Sequence, residues 1–139
     1  MDFALDRQLA ADTHLVEDWP LSRVLLMDDA RFPWLILVPR RAGAVEIHDL
    51  SPADRALLIE EIARASRALT TLHQPRKINV AALGNAVRQL HVHVIARQAD
   101  DAAAGGLVWN AGKAARRVDV ERVRAIAELR STFSARAKG

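Results

Sequence analysis

Short apolar segments separated by turn-forming residues fill most of the first forty positions of the chain. Such segments predict strands rather than helices. The predicted elements are a short helix at residues 3–12 and strands at residues 13–16, 21–27 and 34–38, with breaks at Trp19-Pro20 and residues 28–33. The segment at 34–38 is apolar throughout and ends at Pro39, which indicates a central strand buried on both faces.

A long amphipathic helix is predicted after the linker at residues 40–49. Ser51-Pro52 with Asp54 supplies a hydroxyl cap, a proline at the first helical position and an acid in the first turn, and the helix should run to about Leu72. One apolar stripe has helical spacing, at Leu58, Ile62, Ala65, Leu69 and Leu72. Four charged residues are expected on the outer surface: Glu60, Glu61, Arg64 and Arg67.

A hairpin and a final helix complete the predicted fold. Residues 77–83 and 89–97 form two strands across a turn of about five residues that contains Gly84 and Asn85. Asp119 can cap the last helix, whose apolar stripe is Val123, Ile126, Leu129 and Phe133. Strands grouped around one long helix predict a single α+β domain over residues 1–139.

The second hairpin strand has two unlike faces. Its apolar side chains, Leu90, Val92 and Val94, point toward the long helix, and its polar side chains, Gln89, His91 and His93, line the opposite face. Neighbours on one strand face lie about 6–7 Å apart, so two imidazoles and an amide can hold one small anionic group. A half-buried histidine pair satisfied by backbone groups is the structural alternative. Zinc ligation is a third reading, disfavoured by the missing thiol and the amide at position 89.

Composition narrows the class of protein. The chain has 139 residues and no cysteine, which excludes a disulfide framework and a thiolate metal site. Residues 1–6 lack the basic and long apolar regions of a signal peptide, and no apolar run reaches membrane-spanning length, so we expect a cytoplasmic protein that does not enter membranes. The net charge of +3 is concentrated in residues 111–139. Stacking aromatics are not interleaved there, so nucleic-acid binding is disfavoured relative to a solvated helix.

The segment from Gln89 to His93 resembles the signature of the histidine triad (HIT) family, His-x-His-x-His with apolar x. Gln89 takes the first triad position, His91 the middle and His93 the third, and Asn79 and the run at residues 82–85 also resemble bacterial members. The resemblance implies an antiparallel sheet carrying a helix, a homodimer, and attack by the middle histidine on the α-phosphorus of a nucleotide. That attack needs an unprotonated nitrogen, and hence a hydrogen-bond acceptor for the other nitrogen of His91, which the sequence does not identify.

The resemblance also implies roles for the neighbouring residues. His93 would donate to a non-bridging phosphoryl oxygen, Asn79 would lie near ribose and phosphate, and Asn85 would contact the phosphate or leaving group. Asp28 or Asp29 would bind the ribose hydroxyls, with Asp29 favoured. No protein-bound cofactor is expected, although Mg²⁺ can accompany a polyphosphate substrate.

The sequence departs from the family pattern at three places. Gln89 keeps an orienting role at the phosphate but cannot become an imidazolium. Ala86 replaces a serine that contacts the leaving group in phosphoramidate-cleaving members, which favours a dinucleoside polyphosphate substrate. The loop after the triad, residues 102–106, consists only of alanine and glycine. These departures leave an alternative open: a catalytically weak nucleotide-binding or protein-interaction module with the same fold.

Overall fold

A computed structural model describes residues 2–138, and the side chains of residues 2–135. Its strands are β1 (Thr13–Asp18), β2 (Ser22–Met27), β3 (Trp34–Pro39), β4 (Lys77–Ala81) and β5 (Val92–Arg97). Its helices are α1 (Arg7–Asp12), α2 (Pro52–His73) and α3 (Asp119–Lys138), with short 3₁₀ turns at Ile47–Asp49 and Val108–Asn110. Within the described residues, the strands form one antiparallel sheet in the order β1-β2-β3-β5-β4, which confirms the predicted α+β fold.

The long helix α2 begins and ends as its sequence predicts. The Ser51 hydroxyl accepts a hydrogen bond from the backbone N–H of Asp54 at 3.1 Å, and Pro52 occupies the first turn. After His73 the chain leaves the helix through Gln74, whose φ of 47° lies in the left-handed region. These terminal signals set where α2 begins and ends.

Helices α2 and α3 pack on one face of the sheet. The core between them contains Leu69 and Phe133 from the helices and Leu35, Leu37 and Val94 from the strands. Leu90 and Val92 continue this face toward the start of α2, where they meet Leu58. The predicted apolar face of the β5 segment is therefore confirmed.

The opposite face of the sheet is also buried. Trp34 and Ile36 of β3 and Ile95 of β5 pack there beneath Leu9 of α1, with Phe3 and Leu5 at the margin of the same cluster. Because β3 and β5 are covered on both faces, the polar side chains of β5 lie inside the protein. The N-terminal segment thus forms one wall of the region around the two histidines.

Three sequence-based expectations are wrong in detail. The connection between β4 and β5 spans residues 82–91, so Gln89 and His91 precede the strand instead of lying within it. Val123 on α3 is exposed, because that helix reaches the core through Ala125, Ile126 and the residues after them. Glu61 is only 4% exposed, although helical spacing placed it on the outer surface.

The burial of Glu61 has a specific cause. Its carboxylate accepts hydrogen bonds from the backbone N–H groups of Leu21 and Ser22, at 2.9 and 3.0 Å. Both N–H groups are buried at the start of β2 and would otherwise lack a partner, which is costly. Glu61 therefore joins α2 to the β1–β2 turn.

Replacing Glu61 with alanine should lower the free energy of unfolding by about 2–3 kcal/mol, since two buried N–H groups lose their acceptor. Urea denaturation monitored by circular dichroism measures this loss. Glu60→Ala is the matched control, because Glu60 is the exposed neighbour on the same helix and its replacement should change stability by less than about 0.5 kcal/mol. Equal effects of the two replacements would contradict the assigned role.

Within residues 2–138, no helix is both long and apolar enough to span a lipid bilayer.

Candidate active site

His91 lies just before β5 and is held by the chain's own backbone. Its Nδ1 atom is 2.7 Å from the carbonyl oxygen of Gln89. A carbonyl oxygen can only accept a hydrogen bond, so this contact requires the proton of the neutral ring to be on Nδ1. Nε2 then carries the free lone pair that a nucleophile needs. The acceptor that the sequence could not identify is thus supplied two residues earlier in the chain.

His93 lies within β5, facing Trp34 of the adjacent strand β3. The indole Nε1–H of Trp34 donates a hydrogen bond of 2.9 Å to Nδ1 of His93. Burial, with a smaller contribution from His91, lowers the pKa of His93 to about 3. His93 is therefore neutral throughout the physiological pH range.

The two imidazoles are neighbours on one side of the sheet. Their ring centroids are 5.0 Å apart with an interplanar angle of 73°, and the two residues are only 5% and 4% exposed. His91 thus offers a lone pair at Nε2, while Nδ1 of His93 is engaged by Trp34 and leaves Nε2 as its free ring nitrogen. Such a pair can attack an electrophilic centre and donate a hydrogen bond to one of its oxygens.

An open cleft of about 700 Å³ reaches His91. We call it the His91 cleft, and Arg55 and Arg88 give its wall a cationic character, opposed by Glu46. The cleft is lined by Val45, Glu46, Ile47, His48, Arg55, Ala82, Leu83, Gly84, Asn85, Arg88, Leu90 and His91. Asn85 lies in this wall, and His48 lines it from the segment between β3 and α2.

Gly84 allows the loop before β5 to pack closely against the nucleophile candidate. A Cβ atom at this position would collide with the carbonyl oxygen of Val87 and lie 3.3 Å from Cε1 of His91. The backbone of this loop therefore runs along the edge of the imidazole, where a side chain would have no room.

Asn79 belongs to a polar network near the other end of β5. Its Oδ1 accepts from Nη1 of Arg97 at 3.0 Å, and the same guanidinium forms a bidentate ion pair with Asp101, at 2.7 and 3.0 Å. Nη1 also donates to the carbonyl oxygen of Gly106 at 2.8 Å. Asn79 pairs with Ile95 across the strands and shares the sheet face of His93, but it lines a separate pocket of about 630 Å³ instead of the His91 cleft.

Gln89 turns its side chain toward the N-terminal segment. Its Nε2 donates to the carbonyl oxygen of Ala4, and its Oε1 accepts from the N–H of Asp6, both at 2.8 Å. The amide is therefore already engaged with residues 4–6, while the backbone carbonyl of the same residue holds His91. Both polar atoms of the amide that was expected at the phosphate thus have partners in the N-terminal segment.

Asp29 lies two residues after the end of β2 and is 2% exposed. Arg31 forms a bidentate ion pair with its carboxylate, and the N–H of Ala115 donates to it at 3.3 Å. Burial alone would raise the pKa of Asp29, but these hydrogen bonds hold it below its usual value. Asp28 is likewise bound by Arg116 and the N–H of Arg117. The structure therefore gives no support to a ribose contact by either carboxylate.

The structure thus brings together His91, His93 and Asn85, keeps Asn79 on the same sheet face, and places Gln89 and Asp29 in other contacts. Sequence reasoning missed Trp34, Arg97 and Arg55. Trp34 stands in a uniformly apolar strand, so only the register between β3 and β5 reveals that it meets a histidine. Across the part of the chain that the structure describes, no group of three or more His, Cys, Asp or Glu side chains is arranged to hold a metal ion.

The comparisons with known proteins agree on one family. The sequence model of the HIT domain matches residues 8–100. A histidine triad protein from Bradyrhizobium japonicum is 45% identical, with a TM-score of 0.93 over 96% of this chain and 99% of that one. No curated protein matches the sequence.

Two further crystal structures are similar over nearly their whole length. A histidine triad protein from Sinorhizobium meliloti is 42% identical, with a TM-score of 0.91 and coverage of 94% and 96% of the two chains. One from Marinobacter aquaeolei is 38% identical, with a TM-score of 0.93 and coverage of 97% and 98%.

Proposed function

Because this chain belongs to the HIT domain family of nucleotide-binding hydrolases and transferases, we propose that it cleaves a dinucleoside polyphosphate or a related nucleotide conjugate at the α-phosphate. The observation that carries the proposal is the 2.7 Å contact between Nδ1 of His91 and the carbonyl oxygen of Gln89. It leaves the Nε2 lone pair of a cleft-lining histidine free to attack phosphorus.

In the first step, Nε2 of His91 attacks the α-phosphorus and forms an N–P bond. The bond from phosphorus to the bridging oxygen breaks, and the leaving phosphate or nucleotide keeps the electron pair. The imidazole now bears a positive charge, which the Gln89 carbonyl stabilises through the Nδ1–H. The Nε2–H of His93 donates to a non-bridging oxygen as its charge redistributes.

In the second step, water attacks the same phosphorus atom. The N–P bond breaks, its electron pair returns to Nε2 of His91, and the proton of the attacking water passes to solvent. The products are a nucleoside monophosphate and the original neutral histidine. Dividing the reaction in this way gives two barriers that are each lower than that of direct hydrolysis.

The charge of the His91 cleft supports an anionic leaving group. Arg55 and Arg88 lie in its wall, and guanidinium groups bind phosphate oxygens well. Ala86, beside the cleft residue Asn85, has no hydroxyl for an amine leaving group. These features favour a polyphosphate over a phosphoramidate, with Asn85 at the phosphate and Asn79 farther along the same face. Mg²⁺ would enter with the polyphosphate.

One observation favours a second candidate, a nucleotide-binding or interaction module with little turnover. The Gln89 amide, at the first triad position, is engaged with residues 4–6 and cannot become a cation. A module of this kind would keep the His91 cleft and bind nucleotide without forming a covalent bond.

Incubation with a dinucleoside polyphosphate, followed by a denaturing quench at alkaline pH, tests the proposal. We expect a nucleoside monophosphate in solution and a protein adduct with the mass of one nucleotidyl unit. Alkaline conditions are chosen because N–P bonds to histidine are labile in acid. Binding of the nucleotide, measured by calorimetry, without either product would favour the second candidate.

We further propose that the protein is a homodimer that pairs along β4. This strand is an edge of the sheet, and Val80 on it and Leu83 just after it are each 49% exposed. An unpaired strand edge with exposed apolar side chains is a surface that a second copy can extend. Sedimentation velocity would detect the dimer, and a monomer at all concentrations would contradict it.

A further inference from the structure

The contact between Trp34 and His93 determines more than packing. Indole nitrogen carries a hydrogen and has no lone pair to accept with, so Trp34 Nε1 must be the donor in the 2.9 Å contact. Nδ1 of His93 must then be the acceptor and cannot hold a proton. In a neutral imidazole the remaining proton is therefore on Nε2.

We propose that Trp34 is a positioning residue that fixes His93 in the Nε2–H tautomer, so that His93 presents only a hydrogen-bond donor to the substrate. The catalytic consequence rests on the function proposed above, but the tautomer itself does not. The two histidines then carry their protons on different nitrogens, Nδ1 in His91 and Nε2 in His93, because their acceptor and donor partners differ.

The surroundings of His93 keep its imidazole uncharged near neutral pH. Trp109 packs against its ring with centroids 5.0 Å apart, and Trp34 does so at 5.6 Å. Besides burial, His91 is the ionisable neighbour that acts on His93. Burial, followed by His91, lowers the pKa of His93 to about 3, so protonation does not compete with the Trp34 hydrogen bond near neutral pH.

The fixed tautomer has a direct effect on phosphoryl chemistry. An Nε2–H pointing to a non-bridging oxygen stabilises the charge that accumulates there, whereas the other tautomer would direct a lone pair at an anion. His93 in this form can neither remove a proton nor supply a positive charge. It therefore acts as a donor throughout the reaction.

Nitrogen-15 NMR of histidine-labelled protein tests the inference directly. In the wild type we expect Nδ1 of His93 to resonate as an unprotonated acceptor and Nε2 as a protonated nitrogen, with no titration between pH 5 and 8. Trp34→Phe keeps an aromatic ring but removes the donor. We expect this variant to show both tautomers of His93 and about a tenfold lower kcat with little change in KM, since a tenfold change corresponds to about 1.4 kcal/mol, within the range for one hydrogen bond.

Trp109→Phe is the matched control, because Trp109 contacts the same ring at 5.0 Å and makes no side-chain hydrogen bond to it within the described residues. It should leave the His93 tautomer as in the wild type. A proton on Nδ1 of His93 in the wild type overturns the inference, whether or not the variants fold. If the tautomer is as expected but no turnover occurs, the proposed function fails and the tautomer assignment stands.

Discussion

Replacement of His91 by alanine is expected to abolish the nucleotidyl adduct and to reduce kcat/KM for a dinucleoside polyphosphate by about a thousandfold or more. The reason is the division of roles between the two imidazoles. The contact with the Gln89 carbonyl leaves the Nε2 lone pair of His91 free. The hydrogen bond from Trp34 to Nδ1 of His93 leaves His93 to act as a hydrogen-bond donor through Nε2. Intact-protein mass spectrometry after an alkaline quench, combined with steady-state kinetics, measures both effects.

His14→Ala is the control for this replacement. His14 lies on β1, where its Nε2 is 3.4 Å from the carboxylate of Asp28, and it is not part of the His91 cleft. Adduct formation should therefore survive in that variant. An adduct that persists in His91→Ala, with the fold verified by circular dichroism, would place the nucleophile elsewhere.

Replacement of Asp101 by asparagine should lower the free energy of unfolding at pH 7 by about 3 kcal/mol, because it removes one charge of a buried ion pair. The side chains of Arg97 and Asp101 are each only 8% exposed, so water does not readily replace the lost carboxylate. Urea denaturation measures the loss. Asp100→Asn is the matched control, since Asp100 is the exposed neighbour and should contribute less than about 0.5 kcal/mol.

The same pair predicts a dependence of stability on pH. The hydrogen bond from Arg97 holds the pKa of Asp101 well below its usual value, and the N–H groups of Gln98 and Ala103 add to this effect. A lowered folded-state pKa gives stability that is complete above the unfolded pKa of about 4 and is lost as the pH falls below it. The stability difference between wild type and Asp101→Asn should therefore narrow on acidification. A difference that stays constant between pH 7 and pH 3 would contradict this account.

Much of the fold follows from local rules that act within a few residues. The cap at Ser51 and the alternation of Leu90, Val92 and Val94 predicted α2 and the face of the sheet that it covers. Glu61 did not follow its helical spacing, because the N–H groups that it accepts from lie about forty residues earlier in the chain. Such a partner is visible only after the β1–β2 turn has been placed beside α2.

Contacts between residues that are distant in the sequence also limited the prediction of the site. The spacing of His91 and His93 predicted that the two rings lie on one face, as they do. Asp29 and Gln89 were expected to bind the substrate, but Arg31 and the N–H of Ala115 bind the carboxylate of Asp29, and the backbone of Ala4 and Asp6 binds the amide of Gln89. Ala115, Ala4 and Asp6 each lie more than eighty residues away from the side chain that they bind. A sequence shows which groups a residue is able to bind, but not which distant backbone atoms reach it first.

Gln89 forms hydrogen bonds through both its side chain and its backbone. Its side-chain amide bonds to the backbone of Ala4 and Asp6, and its backbone carbonyl accepts from the imidazole of His91. A shift in the path of the N-terminal segment would therefore move Gln89, which lies 85 positions after Ala4, and with it the carbonyl oxygen that accepts from Nδ1 of His91. Since Gln89 bonds to main-chain atoms, the side chain at position 4 can be changed without removing the hydrogen bond to the Ala4 carbonyl oxygen. The position of the N-terminal backbone therefore bears on the geometry of the nucleophile candidate through Gln89.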